Sequence, residues 1–331
     1  MRISARLILC SAKGLLLGLF IASTALAQTK PKVAFVPQIV GIPYFNAMEE
    51  GGKDAAEKFG VDFIYTGPTD TNPADQLRIV NGLIDQGVNA VSLSVLDASS
   101  IDPILNKAKD KGTHIFTSDS DAPKSAREVY VAQALDQDLG FTIIDELAKR
   151  IGEQGKVGIV SGEATATNLN TWIAFMQQRV KDKYPKIDLL KPQFAGGTAQ
   201  RAFQIATDLM TANPDLKGLI AVASTTCPGV AQAIESGGKA GQVVGTGYGS
   251  PNTVRSYLKS GAFGFSLLWN PRDLGYLTVW AGKQLVDGKQ FAESNEVAGL
   301  SQPVKYDAAT KVLLLGPPTV FTKENVDQFK F

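Results

Sequence analysis

Histidine and cysteine are almost missing from this chain. His114 is the single histidine, and Cys10 and Cys227 are the two cysteines, among 331 residues. A lone histidine inside the apolar run "THIFTS" reads as a core or edge residue. With one cysteine far from it, it cannot build a His-rich metal site. A serine nucleophile would need a base, and no G-x-S-x-G elbow occurs. Neither a P-loop nor G-x-G-x-x-G is present; "GTGYGS" at 245–250 ends a strand pattern without the fingerprint spacing. Enzyme chemistry therefore has little to stand on, and no cofactor is expected. An excess of one charge is lacking too. The 33 basic and 32 acidic residues leave a formal net charge of +1. With no basic run, nucleic acid and anionic membrane drop out as partners.

Long apolar runs are scarce. One, "GLLLGLFIASTALA", follows Arg2 and Arg6 and ends in Ala25-Leu26-Ala27. A charged start, a short apolar stretch and an A-x-A end are the marks of an export signal. The expectation is cleavage after Ala27, removing residues 1–27, and delivery to a periplasm. The rival reading is a membrane anchor, but the run is under the ~18 residues that span a bilayer unless it extends back across Lys13. Cys10 follows Leu9 rather than a small residue, which makes it a poor lipidation site. Cleavage would leave Cys227 alone, without a disulfide partner. Stability would then rest on a core that about 300 residues can supply.

What the sequence does have is a pattern given twice. Strand-like runs "KVAFVP", "VDFIYTG", "AVSLSV" and "HIFTSD" alternate with helical stretches that end at glycines. A second set follows: "KVGIVSG", "IDLLKPQF", "GLIAVAS" and "QVVGTGY", again separated by helices. Strands apolar on both faces, each followed by a helix, predict an α/β chain of two similar doubly wound parallel-sheet domains. Ligands of such sheets bind beyond the carboxyl ends of the strands. Those ends carry Gln38, Thr66, Asp119, Ser161, Ser224 and Tyr248.

The pattern resembles the periplasmic sugar-binding proteins of ABC importers. The likeness runs through "AFVPQIVGIPYFNAMEEGGKDAAEKFGVDFIYTGPT", "DQLRIVNGLIDQGVNAVSLSVLDASSIDPILNKAKDKG", "FTSDSD", "TNLNTWIAFM" and "LLWNPRDLGY". Within the family, "TGPT", "SDSD", "NxNxW" and "WNPxDLGY" are most similar to the rhamnose-binding and autoinducer-2-binding branch. The resemblance implies two lobes joined by a three-segment hinge that close on a ligand and dock on a membrane permease, in a monomer. It implies a first lobe of 30–132 plus 270–297 and a second of 133–269 plus 298–331. The crossings would fall near "YVAQALD", "SLLWN" and "AGLSQPVKY".

It also implies a site. Gln38, Tyr44 and Phe45 would reach the cleft from the first strand's loop. Asp119 and Asp121 match the acids of "SDSD"; the alternative is that one of them caps a turn. Asn168 and Leu169 stand where autoinducer-2 binders carry Asp and Gln, and Gln38 where that branch commonly has lysine. Val222 and Ser224 match ligand-facing backbone positions, Gly247 stands near a common aspartate, and Asn270 matches an amide at a crossing. Acids and amides pair with hydroxyls, and rings cover C–H faces. Tyr44 and Phe45 would either close on a sugar face or staple the following helix. Trp172 reads as core rather than cleft, and Trp269 as packing beside a hinge. The expected ligand is a small, uncharged sugar or polyol. An autoinducer-2 receptor is the alternative, and a transcription regulator is disfavoured by the export signal and the missing helix-turn-helix.

Overall fold

A computed structural model describes residues 29–331. The expected export signal, its cleavage site and Cys10 lie outside the described residues. The first lobe opens with β1 (Lys32–Val36), α1 (Pro43–Phe59), β2 (Asp62–Tyr65), α2 (Pro73–Asp85), β3 (Ala90–Leu93), α3 (Asp102–Lys111), β4 (His114–Ser118) and β5 (Tyr130–Ala132). The second continues through α4 (Asp136–Ile151), β6 (Gly155–Ser161), α5 (Thr167–Lys183), β7 (Ile187–Leu189), β8 (Gln193–Phe194) and α6 (Ala199–Ala212). It goes on with β9 (Leu216–Ala221), α7 (Cys227–Ser236), β10 (Val244–Gly247), α8 (Pro251–Ser260) and β11 (Ser266–Leu268). The chain then returns with α9 (Pro271–Val286), β12 (Ser294–Asn295), β13 (Val304–Asp307), β14 (Val312–Leu314) and β15 (Thr319–Phe321).

The first sheet has the order β12-β13-β14-β5-β4-β3-β1-β2, parallel from β14 to β2. The second is all parallel, β10-β9-β6-β7 with β8 also on β6. Strand alternation explains the unbroken apolar runs. In β1, Val33 and Phe35 join the core containing Met48 of α1, whereas Ala34 and Val36 join the one containing Val80 and Leu83 of α2. The run "IDLLKPQF" is two short strands rather than one, broken at Lys191-Pro192. Proline has no N–H to give to a ladder.

The lobe assignment of the tail needs correction. Residues 298–331 do not stay together in the second lobe. Leu313 is fully buried in the first sheet, where β14 pairs in parallel with β5, Val312 opposite Tyr130. β15 and the residues after it reach the second lobe: β15 lies antiparallel to β11, and Arg255 of α8 pairs with Asp327 and donates to the Phe329 carbonyl (2.6 Å). The three connections between lobes are thus residues 133–135, 269–270 and 315–318; the last is "LGPP", not "AGLSQPVKY".

Helices α1 and α9 approach so closely that a side chain fits on neither contact surface. A Cβ on Gly51 would lie 1.8 Å from the Arg272 carbonyl oxygen, and one on Gly275 would lie 1.9 Å from that of Met48. This reciprocal contact ties α1, whose first turn carries Tyr44, to the helix that follows Trp269. Gly275→Ala is expected to force the helices apart, costing about 1–3 kcal/mol or more. The check is a lowered melting temperature together with a changed tryptophan emission, since Tyr44 and Trp269 touch.

Candidate functional site

Loop tips from the carboxyl ends of both sheets face each other across a cavity of about 80 Å³. A water needs roughly 10–15 Å³ of such space, so the cavity suits one compact molecule. From the first lobe it is lined by Gln38, Tyr44, Phe45, Thr71 and Asp119. From the second come Glu163, Asn168, Leu169, Trp172, Val222, Ser224, Thr225 and Tyr248, with Trp269 at a connection between lobes.

Asp119 follows β4 in the left-handed conformation, φ 68°, a region that Asp and Asn enter more readily than most residues. Its backbone N–H donates to the Val131 carbonyl (3.2 Å), and the Asp119 carbonyl accepts from Tyr130 Oη (3.0 Å). The carboxylate is only 3% exposed. Tyr44 Oη donates to Oδ1 (2.5 Å) and Ser94 Oγ to Oδ2 (2.6 Å). Burial pushes its pKa up to about 6, against the opposing pull of those two hydroxyls and with Asp136 adding a further upward push. Tyr44 in turn accepts from Trp269 Nε1 (3.0 Å). Burial and the neighbouring Asp119 carboxylate hold the Tyr44 hydroxyl well above its usual range. A chain of hydrogen bonds thus runs from an interlobe connection to the buried acid.

Aromatic rings form the other wall. Trp172 packs on Tyr248 at 4.8 Å between centroids and edge-on to Trp269 at 5.8 Å. Trp269 meets Tyr44 edge-on at 5.8 Å, and Tyr44 meets Phe45 at 5.0 Å. The indole of Trp172 donates to Asp136 Oδ1 (2.7 Å), and Tyr248 Oη to the Leu139 carbonyl (3.1 Å). Burial raises the Asp136 pKa, with the Trp172 indole opposing it. Opposite, Thr71 Oγ1 donates to Glu163 Oε1 (2.7 Å), one lobe to the other.

Eight of the residues expected from the sequence line this cavity: Gln38, Tyr44, Phe45, Asp119, Asn168, Leu169, Val222 and Ser224. Three do not. Asp121 is gripped by Arg127 in a two-pronged pair, Nε to Oδ1 2.7 Å and Nη2 to Oδ2 2.8 Å, and also accepts from Thr117 Oγ1 (2.5 Å). It braces its own loop. Gly247 is wedged in the second lobe, where a Cβ would meet the Ala221 carbonyl at 2.4 Å and Cys227 Sγ at 2.9 Å. Asn270 caps α9, its Oδ1 accepting from the Arg272 N–H (3.0 Å). Conversely, Trp172 and Trp269 do face the cavity, and Thr71 and Glu163 were missed. The rule that found Gln38 would have reached Glu163, since it lies two residues beyond β6. Among the described residues, no group of three or more His, Cys, Asp or Glu could hold a metal.

The chain matches the family described as a periplasmic binding protein domain over residues 33–290. It is 28% identical to the D-ribose/D-allose-binding protein of Pseudomonas aeruginosa over 276 residues, 80% of this chain and 81% of that one. With the D-allose-binding periplasmic protein of Escherichia coli it shares 26% identity over 316 residues, 91% and 96% of the two chains. Among solved structures it is similar to an ABC transporter solute-binding protein from Clostridium phytofermentas with bound L-rhamnose. There the TM-score is 0.84 and the identity 26%, over 91% of this chain and 98% of that one. LsrB from Clostridium saccharobutylicum in complex with AI-2 gives a TM-score of 0.83 at 26% identity, over 91% and 100%.

Proposed function

The chain belongs to the periplasmic binding protein domain family, among sugar-binding solute receptors of ABC transporters rather than enzymes, and from that premise we propose that it is the periplasmic receptor that captures a small sugar or polyol between its lobes and hands it to a membrane permease. The observation that carries this reading is the buried Asp119, flanked by rings at the interlobe cavity. Each carboxylate oxygen has a lone pair left after its bond to Tyr44 or Ser94, and a ligand hydroxyl can donate to it. The rings offer apolar cover to C–H faces. Gln38, Asn168 and Ser224 take the outer hydroxyls. Closure about the three connections excludes water and strengthens every polar contact inside. The receptor acts as a monomer.

Isothermal titration with L-rhamnose, D-ribose, D-allose and autoinducer-2, beside a library of pentoses and tetritols, tests it. Saturable binding of at least one hydroxylated probe in the micromolar range is expected, about −8 kcal/mol, with a smaller radius of gyration in solution scattering. Titrations that stay flat across the whole library would overturn the reading. No second reading is favoured: Gln38, Asn168 and Leu169 replace the lysine, aspartate and glutamine expected of an autoinducer-2 site.

A further inference from the structure

The cavity's side-chain donors are nearly all spent, and its acceptors are not. Tyr44, Thr71, Trp172, Tyr248 and Trp269 each donate to a protein acceptor, and Gln38 Nε2 donates to the Val95 carbonyl (3.1 Å). The second N–H of Gln38 and the side chains of Asn168, Ser224 and Thr225 remain as donors. Against them stand two carboxylates, one from each lobe. Asp119 accepts two hydrogen bonds and Glu163 one, both from neutral hydroxyls. A carboxylate can accept about four, so roughly five positions stay open.

Charge tells the same story. No lysine, arginine or histidine lines the cavity. The nearby Arg127 is neutralised by Asp121. The groups that bear on Asp119 are the hydroxyls of Tyr44, Ser94 and Tyr130 and the acid Asp136, none of them a cation. Buried ions are normally paired, because a desolvated charge without a partner is costly. A neutral polyol leaves that cost in place and brings one acceptor with every donor. An ammonium group brings three donors, no acceptor and the missing positive charge. Aromatic faces favour it as well.

We propose that the ligand is an amino-substituted sugar or polyol whose protonated nitrogen sits between Asp119 and Glu163, with its hydroxyls at Asn168 and Ser224. This rests on the receptor reading above and narrows it; the uncharged ligand expected from sequence is replaced by a cationic one.

Matched pairs test it by calorimetric titration: serinol against glycerol, glucosamine against glucose, mannosamine against mannose, with the N-acetyl sugars as controls that keep the hydroxyls but lose the charge. In at least one pair the amine is expected to bind tenfold tighter or more than both its alcohol and its N-acetyl form. That preference is expected to shrink in Asp119→Asn and in Glu163→Gln. Glu163 is only partly buried and its one side-chain bond is to Thr71, so its variant keeps the fold and the test stands even without the other. Alcohols that bind as well as their amines overturn the inference and leave the receptor reading standing. So does an amine preference that survives both substitutions, because the carboxylates would not be its source. If no member of any pair binds, nor any neutral probe of the earlier panel, the receptor reading itself falls and carries this inference with it.

Discussion

Asp119→Asn is expected to weaken ligand binding at least tenfold and, at the same time, to make the unliganded protein more stable at neutral pH. Asparagine tolerates the left-handed backbone at this position, so the fold is retained. Binding suffers because hydrogen bonds to a charged acceptor contribute about 1.5–3 kcal/mol, more than neutral ones. Stability gains because the native state buries an anion with no cation beside it. Folding raises the Asp119 pKa from 3.8 to about 6. The folded chain therefore holds the extra proton between those values, and stability falls as pH rises through that window. Above it the cost is complete, on the order of 3 kcal/mol for a shift of about two units. The measurement is the melting temperature of both proteins from about pH 4 to 8. The variant's advantage should be present at the upper end and vanish near the lower. Equal curves at every pH would mean that Asp119 is not the uncompensated charge described here.

Arg127→Ala is expected to cost the first lobe about 3–5 kcal/mol, the usual penalty for removing one partner of a buried ion pair. The guanidinium is 5% exposed. Its loss strands the Asp121 carboxylate and also takes donors from the carbonyls of Thr310 and Lys311, which lead into β14. Calorimetry should then separate into two transitions, the first lobe melting earlier than the second. The double variant Arg127→Met with Asp121→Leu should recover much of the loss, because it buries no unpaired charge. A double variant as unstable as the single one would show that the carbonyl contacts, not the ion pair, hold this loop.

These two acids also mark how far the sequence could be read. Asp119 and Asp121 are two residues apart in "SDSD" and indistinguishable by type. Their difference lies in partners that residue type does not reveal: Tyr44 and Ser94, 75 and 25 residues away, for Asp119, and Arg127, six residues on, for Asp121. The sheets were legible because β1, β3 and β4 are apolar on both faces, and that periodicity survives without tertiary context. The strand-end rule then led to Gln38, Asp119 and Ser224 with no further information. It failed where a residue's fate depends on distant packing. Gly247 looks like a strand-end site but fills a gap too small for a side chain. Trp172 looked like core and Trp269 like hinge packing, yet both have buried N–H partners behind them and the cavity in front. Thr71 and Glu163 meet across 92 residues of chain, and neither announces the other.

The position of β14 in the middle of the first sheet has a consequence for biosynthesis. Its neighbour β5 is complete by residue 132, whereas β14 ends at residue 314. A chain emerging from its amino end must therefore keep that edge of β5 open while the whole second lobe is made. Open strand edges recruit other chains. The exposed interval is where a chaperone would be needed, and a chain stopped at about residue 300 would aggregate rather than yield a smaller receptor.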